Sequence, residues 1–188
     1  EIPDLLSDET IHEAVTKWRS DKSEAEDIYG NIACWDTSRV TNMFQLFKIQ
    51  SPDGFNDDIG NWDVSAVTDM SQMFFNANFF NQDIGEWDVG TVVDMSQMFE
   101  LAHSFNQDIG EWDVSAVTDM SRMFSRTTWA DSFNQDIGEW DVSAVTDMSQ
   151  MFSEADYFNK DIGEWDVSAV TDMSRMFKEA ENFNKYIG

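Results

Sequence analysis

The sequence predicts an α/β repeat solenoid, with short parallel strands on one face and helices on the other. A Trp-Asp dipeptide recurs at spacings of 27, 25, 25, 28 and 25 residues, with its tryptophans at Trp35, Trp62, Trp87, Trp112, Trp140 and Trp165. The string FNQDIGEWDVSAVTDMSRMF at 105–124 returns at 133–152 with a single Arg→Gln change. A period of this length is typical of solenoids, in which each unit covers the apolar face of its neighbour.

The second half of each unit predicts a helix. In the copy that begins at Phe105, apolar residues lie on one helical face, at Val117 and then at offsets of three, six and seven residues, at Met120, Met123 and Phe124. Ser115 stands where an N-cap is expected, and Asp119 would place negative charge in the first turn, where the helix dipole favours it. We therefore expect the methionine stripe to belong to the core.

The first half of each unit predicts a short strand. Phe105, Gln107 and Ile109 alternate with Asn106 and Asp108, before a glycine ends the run. One strand per unit would build a parallel sheet along one face. Strands are spaced about 4.8 Å apart and helices need roughly twice that width, so one face should be concave.

Residues 1–31 do not fit the repeat and predict an N-terminal helical cap. Ser7 precedes apolar residues at helical spacing, at Ile11, Ala14, Val15 and Trp18. Residues 32–188 are then the solenoid, with about six units and longer connections at 48–54 and 125–132. The last residues show no equivalent cap, so either the native protein continues or this end is covered by self-association or another assembly.

The repeat resembles a known family. The string FNQDIGEWDVSAVTDMSQMF at 133–152 resembles the repeat of the BspA-like leucine-rich-repeat surface proteins, the type found in mycoplasma lipoproteins and in marine bacterial and algal proteins. The segment from Ile11 to Trp35 resembles the one that precedes such repeats. The resemblance covers essentially the whole chain. It implies a leucine-rich-repeat-like fold and an extracellular or cell-surface setting, with adhesion attributed to some members, and it brings no catalytic residues.

The net charge of the chain limits the classes of partner that it can bind. There are 37 acidic and 11 basic residues, for a net charge of −26. Such a surface repels nucleic acid and anionic lipid and attracts a basic partner, although solubility alone would also explain it. No run approaches the roughly 18 apolar residues of a membrane span, so we expect no direct membrane insertion.

Stacking would turn each repeat position into a ladder of identical side chains. The first aspartate ladder comprises Asp58, Asp83, Asp108, Asp136 and Asp161. Neighbouring carboxylates about 5 Å apart repel each other by on the order of 1–3 kcal/mol, so something should relieve the repulsion. Three interpretations stay open: the carboxylates accept backbone hydrogen bonds, they bind a basic partner, or Ca²⁺ bridges them with help from Asn81, Asn106 and Asn134. No cofactor is required.

A second aspartate ladder follows the tryptophans, at Asp63, Asp88, Asp113, Asp141 and Asp166, and its expected role is to brace turns. Trp129, within the longer connection at 125–132, is the tryptophan that lies outside both the cap and the tryptophan ladder. It is either an interaction anchor or a residue that folds over a neighbouring loop, since insertions in repeat proteins often carry binding function.

The sequence does not predict an enzyme. His12 and His103 have no second ligand at metal-binding spacing, and there is no phosphate-binding glycine loop or nucleophile motif. We expect a non-enzymatic adhesion module that binds a protein or carbohydrate. The alternative is a structural spacer or self-assembling surface repeat, stabilised by Ca²⁺ through the aspartate ladder.

Overall fold

A computed structural model of the chain describes residues 5–49, 54–130 and 132–187; parts of the cap and of both longer connections lie outside these ranges. Helix α1 spans Ile11–Ser20, helix α2 spans Lys22–Tyr29, and a 3₁₀ helix spans Ile32–Cys34. Beyond Cys34 the described residues form neither a helix nor a strand. The predicted α/β, leucine-rich-repeat-like solenoid is therefore wrong, and so is the concave face inferred from a strand side and a helix side.

The helix predicted in the second half of each unit is replaced by tight turns. The Asp119 carboxylate accepts a hydrogen bond from the Ser121 N–H at 2.8 Å, a local contact that competes with helix formation. Arg122 then adopts a left-handed conformation, with φ of 56°, and donates its N–H to the Ser149 carbonyl of the next repeat. The Arg122 N–H therefore makes a hydrogen bond between layers instead of one within a helix.

The predicted strand is missing for a similar reason. The Asn106 N–H donates to the side-chain oxygen of Asn81 at 3.0 Å, and the Gly110 N–H donates to the Asp108 carboxylate at 3.1 Å. Because side chains take the hydrogen bonds that a neighbouring strand would supply, no backbone ladder forms here.

The repeats nevertheless stack in register. Complete repeats begin at Phe55, Phe80, Phe105, Phe133 and Phe158, and each forms one layer. Isolated parallel bridges join successive layers at one residue each, at Asn42–Asp69, Asp69–Asp94, Asp94–Asp119, Asp119–Asp147 and Asp147–Asp172. The prediction that each unit covers its neighbour holds, although turns rather than strands and helices form the layers.

One segment of each layer carries most of the hydrogen bonds between layers, and we call it the donor segment (70–77 in the repeat that begins at Phe55). Alternate N–H groups donate to the next layer at 2.8–2.9 Å, in the pairs Met70–Asp94, Gln72–Ser96, Phe74–Met98 and Asn76–Glu100. The intervening N–H groups of Met73, Phe75 and Ala77 donate to carbonyls three residues earlier, within the same layer. All N–H groups that leave the segment therefore point toward the C-terminal end of the stack.

This segment requires unusual backbone angles. Two residues in most donor segments have φ between 56° and 64° although neither is glycine, among them Gln72, Asn76, Gln97 and Leu101. Such angles are uncommon for side chains other than Asn and Asp. The bonds that Gln72 and Asn76 donate to the next layer stabilise this conformation.

Aromatic columns fill the interior. Phe74 and Phe99 stack at 5.5 Å between ring centroids, Phe80 and Phe105 at 6.0 Å, and Phe99 lies 3.9 Å from Phe105. The ladder tryptophans are buried, and each from Trp62 onward donates its indole N–H to an isoleucine carbonyl of the preceding layer, as Trp112 does to Ile84 at 3.1 Å. The core predicted from Phe, Trp and Met is confirmed.

Helix α1 closes the N-terminal end of this core, where the sequence predicts a helical cap. Its buried face comprises Ile11, Ala14, Val15 and Trp18. The Trp18 ring meets the edge of Trp35 at 5.7 Å. Asp8, which precedes the helix, accepts hydrogen bonds from the N–H groups of Thr41 and Asn42 at 2.7 and 3.0 Å. The domain boundary at residue 31 stays a prediction.

Candidate functional site

The first aspartate ladder is exposed, and each carboxylate braces a turn. In every member the side-chain oxygen accepts a hydrogen bond from the glycine two residues later, at 3.0–3.1 Å, as Asp58 does from Gly60 and Asp83 from Gly85. Close packing between layers explains why these positions are glycine. A β-carbon on Gly85 would lie 2.6 Å from the Asp108 carbonyl of the next layer.

The asparagines expected to assist ligand binding bond between layers instead. The side-chain oxygens of Asn81, Asn106 and Asn134 accept the N–H of the corresponding asparagine in the next layer, at 3.0 Å. Asn81 also accepts a hydrogen bond from the Gln107 amide at 2.9 Å. These contacts link successive layers and use the oxygens that a ligand would need.

Calcium bridging along the ladder finds no support in this geometry. In the described part of the chain no three His, Cys, Asp or Glu side chains are grouped so that they could hold a metal ion. One oxygen of each ladder carboxylate is already bound to a backbone N–H, and the partner asparagines are bound as well. The second oxygen of each carboxylate is not used in this bond, and calcium binding along the ladder stays a prediction.

The second aspartate ladder also braces turns. Asp63, Asp113, Asp141 and Asp166 each accept from the N–H of a serine two residues later, and hydrogen bonds from the serine hydroxyl and N–H lower the pKa of all four carboxyls. A third ladder, which sequence reasoning missed, repeats the pattern at the bridge residues Asp69, Asp94, Asp119, Asp147 and Asp172. The signal was present in the sequence as Asp-x-Gly or Asp-x-Ser three times per repeat.

The longer connection at 125–132 creates an exposed aromatic cluster. The Trp129 side chain is 44% exposed and stacks on His103, with ring centroids 5.1 Å apart and 15° between the planes. The edge of Phe79, itself 47% exposed, meets Trp129 at 5.9 Å. We call Phe79, His103 and Trp129 the aromatic cluster. Tyr157, which corresponds to Phe79 in a later repeat, is also exposed.

His103 connects the aromatic cluster to the 125–132 connection through hydrogen bonds. Its Nδ1 accepts the Thr128 N–H at 3.3 Å, and its backbone carbonyl accepts the Ser132 hydroxyl at 2.8 Å. Burial lowers the pKa of His103, which favours the neutral ring that an accepting Nδ1 requires. The aromatic cluster is therefore fixed at both ends of the connection. Sequence reasoning identified Trp129 but not Phe79 or His103 as its neighbours.

Glu100 is a buried carboxyl group in the donor segment. The residue is 4% exposed, and its Oε2 has no hydrogen-bond partner among the described residues. Burial raises the pKa of Glu100, although the charges of Arg122 and Arg126 oppose the shift. The nearest cation is the Arg126 guanidinium, with Nη1 at 3.9 Å from Oε1.

The comparisons with known proteins establish the family. None of the helices in the described residues is long and apolar enough to cross a bilayer. No curated protein and no solved structure matches the chain. The family described as "Mycoplasma protein of unknown function, DUF285" matches residues 16–131 and 128–188. Together these matches cover residues 16–188, which comprise all of the repeats and part of the cap, and the chain belongs to this family.

Proposed function

We propose that this chain is a non-enzymatic binding module of a cell-surface or secreted protein, and that the aromatic cluster binds a basic protein segment. The observation that carries the proposal is that Trp129 is exposed while its ring stacks on His103. Exposed, pre-positioned aromatic side chains contribute large contact areas and are the most frequent anchors of protein interfaces.

The irregularity of the repeat supports this location. Most large aromatic residues of the stack fill the interior, whereas Trp129 and Phe79 lie at the surface, as do Phe44, Tyr157 and Tyr186. The phenylalanine column does not need the insertion that carries Trp129, since Phe124 and Phe133 on either side of it stack at 3.9 Å, as Phe99 and Phe105 do in a repeat without it. The core would close without the insertion, so binding explains it better than packing does.

Charge supports a basic partner. The net charge of −26 attracts cationic proteins over a long range. Near the same edge of the stack, burial and the neighbouring charges of Glu181 and Glu154 raise the pKa of Asp156. An arginine that stacks on the Trp129 ring would meet both an aromatic face and an acidic surrounding. The surface setting rests on the resemblance to BspA-like surface repeats.

Selection from a peptide library tests the proposal. A phage-displayed library of random 12-residue peptides is panned against the intact chain, and the selected peptides are then measured against Trp129→Ala by titration calorimetry. We expect enrichment of peptides with arginine or lysine and a loss of at least tenfold in affinity for Trp129→Ala. Tyr186→Ala is the matched control, because it removes a far more exposed aromatic ring and should leave the affinity unchanged.

Two results would contradict the proposal. The first is that the selected peptides bind Trp129→Ala as tightly as the parent chain, which would move the site elsewhere. The second is that no basic peptide is enriched while an array of glycans shows binding that depends on Trp129. That outcome would retain the cluster as a site but assign it to carbohydrate.

A further inference from the structure

The aromatic cluster belongs to a longer row of exposed rings that follows the axis of the stack. Phe79 and Tyr157, which are 47% and 38% exposed, each come directly before a phenylalanine of one interior column. This column comprises Phe80, Phe105, Phe133 and Phe158, with ring centroids 6.0–6.1 Å apart from one layer to the next. Three such steps separate Phe79 from Tyr157, so the row extends over roughly 18 Å.

Trp129 lies between these two residues along the axis. Its ring contacts both Phe79 and His103, at 5.9 and 5.1 Å between centroids, which places it beside the layer of His103. His103 and Asp156 occupy the same position of the repeat, two layers apart. Because each layer adds 6.1 Å here, the Trp129 ring and Asp156 are separated by roughly 12 Å along the axis.

Negative charge is concentrated at the Tyr157 end of the row. Burial and the neighbouring charges of Glu181 and Glu154 raise the pKa of Asp156, the residue before Tyr157. Arg126 lies 3.7 Å from Glu154, whereas Asp156 forms no ion pair within the described residues. A cation bound beside Asp156 would relieve the repulsion among these carboxylates. The row therefore combines an aromatic position at Trp129 with an acidic one at Asp156.

The spacing of the layers matches that of an extended polypeptide. Side chains on one side of an extended chain recur every two residues, at about 6.6 Å, which is close to the step from one layer to the next. Residues four apart therefore face the same way and lie about 13 Å from each other, close to the separation of Trp129 and Asp156. The residue midway between them would face the layer of Ser132, whose side chain is buried.

We propose that the partner of the aromatic cluster is an extended segment that runs along the axis of the stack and carries two basic side chains four residues apart. The first stacks on the exposed Trp129 ring. The second forms a charge-assisted hydrogen bond with Asp156 and packs against the Tyr157 ring. This inference rests on the proposed function, to which it adds the conformation of the partner and the spacing of its basic residues.

The test uses synthetic 12-residue peptides of serine and threonine with two arginines placed three, four or eight residues apart, titrated into the intact chain by calorimetry. We expect the four-apart peptide to bind at least tenfold tighter than the three-apart peptide, whose arginines point to opposite sides of an extended chain. Asp156→Asn should abolish this preference. Glu139→Gln is the matched control, because it removes an exposed carboxyl group elsewhere in the same repeat, and it should retain the preference.

The outcomes separate this inference from the proposed function. Equal affinities for the three- and four-apart peptides, both lost in Trp129→Ala, would overturn the inference and leave the proposed function standing. Tightest binding of the eight-apart peptide would also overturn it, because residues eight apart span about 12 Å in a helix. So would a preference for four residues that persists in Asp156→Asn. If no peptide binds in a way that depends on Trp129, the proposed function fails and this inference fails with it.

Discussion

The first layer of the stack and the last described layer differ in what lies against them. At the N-terminal end, Trp18 covers the first ladder tryptophan, and Asp8 supplies the carboxylate that replaces the carbonyl of a preceding layer. In the last described repeat, Val167 and Met173 are exposed, and the N–H groups of Met173 and Arg175 have no acceptor among the residues that the structure describes. The inner layers between them are buried on both sides.

This difference shows that the stability of a layer depends on two separate contacts with its neighbours. Its apolar side chains must be covered, and its hydrogen bonds, which point one way along the donor segment, must find partners. Helix α1 meets the first need and Asp8 helps to meet the second. A cap that offered only apolar residues would leave the N–H groups of Thr41 and Asn42 without the acceptor that Asp8 provides.

The largest loss of folding stability is expected for Trp18→Ala. Trp18 is buried against Trp35 and donates its indole N–H to Asp57 at 3.0 Å. Its removal should lower the free energy of unfolding in urea by about 3–5 kcal/mol, the usual cost of truncating a buried tryptophan. Tyr186→Ala, at a side chain that is 80% exposed at the opposite end, should change it by less than about 0.5 kcal/mol. Equal losses for both variants would show that α1 does not close the core.

A smaller effect is expected for alanine in place of an inner glycine. Gly85 and Gly163 lie in the same local sequence, Asp-Ile-Gly-Glu. A β-carbon on Gly85 would lie 2.6 Å from the Asp108 carbonyl, whereas one on Gly163 would lie 3.2 Å from the Tyr186 carbonyl. Gly85→Ala should lower the urea midpoint by the equivalent of about 1–3 kcal/mol, a typical cost of overpacking, and Gly163→Ala should cost clearly less. A larger loss for Gly163→Ala would contradict the tight stacking of the inner layers.

The smallest effect is expected for Asp8→Asn, and it should depend on pH. Burial alone would raise the pKa of Asp8, but the hydrogen bonds from Thr41 and Asn42 outweigh it and lower the pKa. A carboxyl with a lowered folded pKa stabilises the fold above its unfolded pKa of about 3.9, and this contribution is lost as the pH falls through the folded value.

Asp8→Asn should therefore cost about 1 kcal/mol at pH 7, in line with an exposed charge-assisted hydrogen bond, and progressively less below about pH 4. Urea titrations at pH 3 and pH 7 measure the difference. Glu9→Gln removes the same charge from the next residue and should show no such trend. If the two variants respond to pH alike, the effect belongs to net charge rather than to the contacts of Asp8.

The failed secondary-structure prediction has a specific physical cause. Offsets of three and four residues in Val117, Met120 and Phe124 suit a helix, but they equally suit successive turns that return a side chain to the core. The left-handed angle at Arg122 carries no mark in the sequence, because arginine is not a residue that favours it. Only the bond to the next layer makes this angle favourable.

The residues of the candidate site could be predicted from the sequence, but the contacts between them could not. Trp129 could be singled out because it breaks the period, and the aspartates because they repeat. That His103 lies beneath Trp129 could not be predicted, since the two residues come from different layers and meet only when the layers are stacked. The same holds for the bonds between Asn81 and Asn106, which depend on register.

By itself, the sequence determined the period, the identity of the core residues, the acidic surface and the helix at the N-terminal end, because each of these depends on residue type and spacing along the chain. Only the tertiary structure decided that the layers consist of turns, that the first aspartate ladder braces turns as the second was expected to, and that the donor segments give the stack a direction. The physical reason is that a backbone N–H bonds to whichever acceptor lies nearest after folding. In this protein, for the donor segments, that acceptor belongs to the next repeat.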